Sequence, residues 1–372
     1  MKIASVVQNH FINDNRVWRS ADALQAAGHE VMVVCIHREG LPVREEVNGV
    51  QVHRIKVRSQ KLPRGKVLGL LKFIEMYTRI ILKYRKWDAW HCNDFNPYFM
   101  GVIARKLNRK LKLVYDSHEY QTGRIDKSPM QLKFIAKKEK QHIQFIDAVI
   151  LVSDGIGEEY KRLYGVKEVS IIRNVPHKID VPKSRVLRDT FGIRDDQTLF
   201  LFQGNLGLSR GAEHLIEAFG NIEDDRAVLV ILGSGKFQPM AEEYAAKHAN
   251  IFYHTPVPYQ QLLEYSTSAD IGVVSSQNIC LNNYYSLPNK LFEYIQSGLP
   301  VLTNNLIECE KLVNHYDIGV VVDGWTVPQI EKAVAEVVDA DLNAFRTNLK
   351  KAQEELHWDK EKEKLLAIYN KL

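Results

Sequence analysis

The segment Ser286-Leu-Pro-Asn-Lys-Leu-Phe-Glu293-Tyr-Ile-Gln-Ser-Gly298-Leu-Pro-Val301 sets one carboxylate inside a helix-forming run that a Gly-Leu-Pro turn closes before a new apolar stretch. Asp270 to Ser275 reads as the strand ahead of it. The loop from Ser276 to Pro288 then falls at that strand's carboxyl end, and the helix starts near Pro288 or Asn289, since proline is tolerated in a first turn. Ligands of open α/β domains collect at this edge, where loops lead into helix N-termini with free N–H groups. Phosphates there would meet the amides of Asn289 and Lys290. Glu293, one turn further in, would accept hydrogen bonds from the hydroxyls of a ribose. The same spacing also fits a solvated helix face with Lys290 as the companion of Glu293.

A second anion-binding pattern is Phe202-Gln-Gly204-Asn205-Leu-Gly207-Leu-Ser209-Arg210-Gly211. Here a strand runs into a glycine-bearing loop and a helix opens beside an arginine, a combination suited to a diphosphate, although an ordinary turn explains the glycines equally well. Gly233-Ser234-Gly235 closes the strand expected over 227–232 and permits a tight turn with close backbone approach. In the first half, Tyr115-Asp116-Ser117-His118-Glu119 ends a strand expected over 111–115, which puts His118 at a carboxyl edge. His91-Cys-Asn-Asp94 ends another, making His91 and Asp94 candidates of the same kind. Within Asn13-Asp14-Asn15-Arg16-Val17, Asp14 fits the N-cap of a helix beginning at Asn15 or Arg16, and Arg16 is a candidate for an acceptor phosphate.

These residues need strands to hold them at one edge, and the chain supplies strand and helix patterns in alternation. Apolar β-rich runs at 3–7, 31–36, 50–55, 89–91, 111–115, 148–152 and 169–172 are separated by helical segments such as 16–27 and 97–107. A polar, proline-containing interval from Asn174 to about Asp196 reads as a link, after which the alternation resumes at 199–202, 227–232, 251–253, 271–275, 300–303 and 319–322. The pattern predicts an α/β protein of two Rossmann-like domains with mostly parallel sheets, over 1–176 and 190–354, facing a central cleft. A helix over 358–372 follows.

The motifs resemble those of the family 4 retaining glycosyltransferases, which have the GT-B fold, and in particular a branch with Asp-x-Arg-Val, Asp-Ser-His-Glu and Pro-x-Lys-Leu-Phe-Glu-Tyr. The resemblance covers nearly the whole chain and is sharpest in the second half. It implies that Glu293 binds the donor ribose, that Gly204, Asn205, Arg210, Asn289 and Lys290 surround the donor, and that Val257 in Pro256-Val257-Pro258 offers backbone groups to the base. It places His118 at the catalytic position beside the reacting carbon, with Arg16, His91, Asp94 and Glu119 on the acceptor side. The C-terminal helix would pack back on the first domain. A sugar would pass from a nucleotide sugar to an acceptor glycan or lipid-linked sugar with retention and without a metal cofactor, in cell-surface polysaccharide or glycolipid synthesis. Three departures stand out. Asn205 replaces the family's arginine, Arg210 replaces its lysine, and Tyr285 occupies the place of a second glutamate that binds sugar hydroxyls.

Composition fits a globular enzyme. The 372 residues are 45% hydrophobic and 26% charged, and no run approaches the ~18 apolar residues of a spanning helix. The first residues lack the pattern of a signal peptide, which implies a cytoplasmic chain. Cys35, Cys92, Cys280 and Cys309 form no C-x-x-C pair and read as reduced core thiols. Asp339-Ala-Asp341 has the spacing of a metal motif but sits in a polar stretch, and reads as a solvated turn. Through residue 178 there are 32 Lys and Arg against 18 Asp and Glu, a balance of +14, and in the rest 18 against 27, a balance of −9. The basic half calls for an anionic partner. The stretch from Lys56 to Lys86, with basic clusters flanking an apolar helix, points to an anionic membrane surface such as the inner face of the plasma membrane; a core helix with solvated ends is the alternative. A nucleotide-sugar epimerase would need flanking acid and base carboxylates, of which only Glu119 is a loose candidate. No nucleic-acid-binding module accompanies the basic residues.

Overall fold

The computed structural model describes residues 1–372 apart from Asn13, Leu62, Arg64, Asp180 and Val181, and describes Gln60, Lys61 and Lys66 by backbone alone. Asn13 of the first-loop motif and part of the basic cluster before residue 67 therefore lie outside the described residues. The chain divides into two compact units, Met1–Arg173 with Lys362–Leu372, and Asn174–Glu361.

The first unit carries β1 (Lys2–Val6), β2 (Glu30–Ile36), β3 (Arg44–Val47), β4 (Val50–Ile55), β5 (Ala89–Asn93), β6 (Lys112–Asp116), β7 (Ala148–Leu151) and β8 (Ser170–Ile171). They pair in the order β3-β4-β2-β1-β5-β6-β7-β8, every described pair parallel except β3 with β4. Central strands β1 and β5 are buried on both faces, as helices over both sides of a parallel sheet require. Strand β3 was not foreseen, because Arg44-Glu-Glu-Val has no apolar face to bury. Its mark in the sequence is Asn48-Gly49, whose φ values of 47° and 83° make the two-residue turn of a hairpin.

The helix Lys66–Tyr84 divides along its length: Met76, Tyr77, Ile80, Ile81 and Tyr84 are buried, whereas Val67, Leu70, Leu71 and Ile74 are exposed. Neither sequence reading of this helix holds throughout.

The second unit carries β9 (Thr198–Asn205), β10 (Ala227–Ser234), β11 (Ile251–His254), β12 (Ile271–Val274), β13 (Val301–Asn304) and β14 (Gly319–Val322), in the parallel order β11-β10-β9-β12-β13-β14. Its core gathers Phe200, Phe202, Leu215, Phe219, Ile231 and Ile330. The strand order reverses at β9, which has β10 on one side and β12 on the other; in the first unit it reverses at β1, between β2 and β5. Such switch points leave a crevice at the strands' carboxyl ends. The interval expected as a plain link holds the helix Val186–Phe191, fixed to the second unit because Leu187 is buried and Arg188 pairs with Asp270.

Candidate functional site

In the second unit, the sequence-predicted residues converge at the switch point. β9 ends at Gly204 and Asn205, and the loop beyond it approaches the end of β12 closely: a Cβ on Gly211, whose φ is 66°, would lie 2.3 Å from the Ser275 carbonyl. The Ser275 hydroxyl donates to the Arg210 carbonyl at 2.6 Å, and the Trp325 indole N–H to that of Gly211 at 3.0 Å. These bonds hold the loop's backbone and leave the Arg210 side chain exposed, with no ion pair to its guanidinium among the described residues. The Asn205 amide oxygen folds back over Gly207, where a Cβ would come within 2.5 Å of it.

The helix Asn289–Gln296 starts where the sequence placed it, with Pro288 at the N-cap and Asn289 accepting from the Asn174 amide at 2.9 Å. Lys290, half-buried, sets its ammonium 3.6 Å from the centroid of the Phe202 ring, and its Cε lies 4.0 Å from where a Cβ on Gly204 would stand. Burial, and next the Arg210 guanidinium, pull the Lys290 ammonium down to about 7 against the opposing Glu293 carboxylate. Glu293 accepts from the Gln203 amide at 2.6 Å, and the Gln203 oxygen accepts in turn from Ser266 Oγ at 2.8 Å. Gln203 escaped the sequence reading. Its signal is an amide ending the apolar run Leu199-Phe-Leu-Phe, where a buried polar group needs a partner. Next to Glu293, Tyr294 donates to the Leu201 carbonyl at 2.9 Å and packs where Gly272 has no side chain. That packing locks the helix onto β9 and β12.

Gly233 and Gly235 serve the chain itself. A Cβ on Gly233 would stand 1.9 Å from the Gly204 carbonyl, and one on Gly235 2.7 Å from Leu206. Val257 lies beyond β11, the outermost strand of the sheet, at the same carboxyl edge.

In the first unit the predicted residues meet around one that sequence reasoning passed over, Asp116. Arg16 donates to Asp116 through Nε at 3.2 Å and a terminal nitrogen at 2.6 Å, and its other terminal nitrogen donates to the Ile172 carbonyl at 3.0 Å. His91 stands 3.2 Å from Asp116 and 3.0 Å from the Tyr369 hydroxyl. Arg16 and His91, expected on the acceptor side, are both buried, at 6% and 0% exposure, and bond to groups of the protein. Asp14 caps the helix Asn15–Ala26 and accepts from the Val17 N–H.

His118 Nε2 lies 3.5 Å from Asp116 and Nδ1 3.8 Å from Asp94, and the His118 backbone N–H donates to Asp94 at 3.0 Å. Burial opposes a charged ring, but the Asp94 and Asp116 carboxylates outweigh it and raise the imidazole's affinity for a proton. Burial alone would also raise Asp116, yet Arg16, with His118 and His91, holds it well below the usual carboxylate range. Asp94 takes a φ of 67° at the end of β5 and accepts from the Gln121 amide at 2.8 Å. Glu119 pairs with Arg124, and burial raises its carboxyl against that guanidinium.

Comparison with known proteins finds a family for each half of the chain. Residues 14–174 match the model of a glycosyl transferase 4-like domain, and residues 184–356 that of glycosyl transferases group 1. The chain is a GT-B glycosyltransferase. The glycosyltransferase is 27% identical to an uncharacterized glycosyltransferase of Methanocaldococcus jannaschii, over 94% of this chain and 91% of the relative. Among solved structures, sucrose-phosphate synthase from Thermosynechococcus elongatus superposes with a TM-score of 0.80 at 18% identity, covering 100% of this chain and 99% of the other. Anabaena HepE in complex with UDP-glucose gives 0.76 at 14% identity over 100% of each chain. In the glycosyltransferase, the spaced acids Asp339 and Asp341 have local partners: Asp339 pairs with Arg226 at 3.0 Å, and Asp341 accepts from the Asn343 N–H at 3.0 Å.

Proposed function

We propose that this glycosyltransferase moves a sugar from a nucleoside diphosphate sugar to an acceptor hydroxyl with retention at the anomeric carbon. The observation that carries the reading is the second unit's switch point, where Arg210 and Lys290 form no salt bridge among the described residues and stand near a carboxylate, Glu293, that accepts from Gln203. A nucleoside diphosphate supplies what that arrangement lacks: an anion for the two cations and the helix N-terminus at Asn289, and vicinal hydroxyls for Glu293. Gly204 lets the chain approach the phosphates, Asn205 shapes the loop, and backbone groups at Val257 meet the base. UDP-glucose as the ligand in Anabaena HepE supports the donor class.

In the first unit His118 addresses the sugar, while Asp94 and Glu119 serve the acceptor, a glycan or lipid-linked sugar of cell-surface polysaccharide or glycolipid. Arg16, His91 and Asp116 position the imidazole. In the reaction, the bond from the anomeric carbon to the diphosphate oxygen breaks and a bond to the acceptor oxygen forms on the same face. The departing diphosphate takes the acceptor's proton, and Arg210, Lys290 and the helix N-terminus meet the charge that develops on it, with no metal required.

Thermal shift across a panel of nucleoside diphosphate sugars should reveal a stabilising donor. NMR of the product formed with that donor and an acceptor, in the presence of a chelator, should show the donor's anomeric configuration kept. No shift with any donor would overturn the site assignment, and an inverted product would overturn the stereochemistry.

A further inference from the structure

The first unit carries an apolar surface that its chemistry leaves unused. On the helix Lys66–Tyr84, Val67, Leu70, Leu71, Ile74 and Leu82 are 49% to 74% exposed. Val67, Leu70, Leu71 and Ile74 lie in the first half of the helix and Leu82 near its end, whereas Met76, Tyr77, Ile80, Ile81 and Tyr84 in its second half are buried. A second helix, Pro129–His142, exposes Met130 and Phe134. The helix Phe95–Leu107 packs against both, and the Phe134 ring meets those of Phe99 and Phe95 at centroid distances of 5.8 Å and 6.3 Å.

Charge along these helices is mainly positive. Between Lys56 and Lys86 there are ten Lys and Arg and a single acid, Glu75. Glu75 is turned to the chain, accepting from the N–H groups of Arg58 and Ser59 at 2.8 Å each and from Arg79 Nε at 2.8 Å. The second helix likewise holds one acid, Glu139, fully buried beneath the hydroxyls of Tyr115, Tyr160 and Tyr164 at 2.7 Å each. Its lysines stay near the surface: Lys133, Lys137 and Lys140 are exposed, and Lys138 reaches over the Phe134 and Phe99 rings at 5.7 Å and 5.9 Å. Both helices thus carry exposed apolar side chains and lysines, with their own acids engaged by the protein.

Position selects the partner. Both helices follow parallel strands, so their first turns, where Val67 to Ile74 and Met130 to Phe134 lie, face the carboxyl edge that holds Asp94 and His118. Among the described residues no helix is long and apolar enough to cross a membrane. We infer that these two helices dock the first unit on an anionic lipid bilayer, the apolar side chains entering the headgroup boundary while the lysines and arginines meet lipid phosphates. A membrane fits better than a protein partner because the exposed charge carried by both helices is cationic and lies beside the exposed apolar residues.

Co-sedimentation with phosphatidylcholine vesicles, with and without phosphatidylglycerol, tests this on the full chain. Partitioning should rise with phosphatidylglycerol, by about fivefold for each basic residue brought to the surface, and fall as salt screens exposed charge. Replacing Leu71→Glu and Ile74→Glu together, at exposed positions that leave the fold intact by circular dichroism, should lower partitioning by more than about tenfold. Leu107→Glu, an exposed position at the end of its helix away from that edge, should leave it unchanged. Binding indifferent to phosphatidylglycerol, or unaffected by the paired substitution, overturns the inference. So does a dimer in sedimentation velocity that the paired substitution dissolves while neither form binds vesicles, since the face would then belong to a second copy of the chain.

Discussion

The two switch points contain similar residue types put to opposite uses. In the first unit Arg16 is spent on Asp116 and on the Ile172 carbonyl, with His91 and Tyr369 completing a network closed within the protein. In the second, Arg210 is exposed, Lys290 rests on an aromatic face, and the carboxylate between the loops is held by an uncharged amide, that of Gln203. A buried ion pair in a low-dielectric interior serves geometry, here fixing the base of His118. Arg210 and Lys290, in no salt bridge among the described residues, are left with charge to offer a ligand. Residue type alone therefore says little about whether an arginine at a strand's carboxyl end holds the fold or binds substrate.

The sharpest way to break this contrast is to remove the two arginines in turn. Arg16→Ala leaves Asp116 buried without its guanidinium partner, and should destabilise the protein by about 3–5 kcal/mol in urea titration. Arg210→Ala, on an exposed side chain, should change stability by no more than about 0.5 kcal/mol. Comparable losses in both variants would show that the second network is as structural as the first.

Glu293→Ala comes next. A carboxylate bonded to ribose hydroxyls contributes about 1.5–3 kcal/mol, so nucleotide affinity should fall roughly tenfold to a hundredfold while the fold stays intact. Unchanged affinity by calorimetry would return Glu293 to the role of an ordinary helix residue.

How far each region was legible follows from the same contrast. The parallel sheets were readable because β9 and β10 carry continuous apolar runs, Leu199–Phe202 and Ala227–Leu232, whereas β3 has no such run and only Asn48-Gly49 betrays it. The helix carrying Lys290 and Glu293 was placed correctly because Pro288 and Gly298 bracket it. The burial of Arg16 was not readable, since its partner Asp116 lies a hundred positions away and reaches it only through strand order. Gln203 was hidden for a related reason: its partner is on a helix ninety residues on.

Arg210 itself allows a finer test on the ligand side. Arg210→Ala should weaken binding of a nucleoside diphosphate by about tenfold, the worth of one charge-assisted hydrogen bond, and leave the nucleoside nearly unaffected. Equal losses for both ligands would move Arg210 away from the diphosphate and weaken its contrast with Arg16.

The smallest expected effect concerns protons. Burial and the neighbouring guanidinium of Arg210 bring Lys290 down to about 7 from its usual value near 10.5, so in the free protein a rise in pH through 7 discharges it. A diphosphate favours the charged form, so binding above this point must take up a proton. Affinity for a nucleoside diphosphate sugar, whose phosphodiester oxygens do not titrate in this range, should therefore fall as pH rises from 7 to 8, by up to about tenfold, or roughly 1.4 kcal/mol. Below pH 7 it should level off, because Lys290 is then charged in both states. Lys290→Arg keeps the charge at every pH and should flatten the profile. A wild-type profile already flat across this window would mean that the ammonium over Phe202 takes no part in holding the diphosphate.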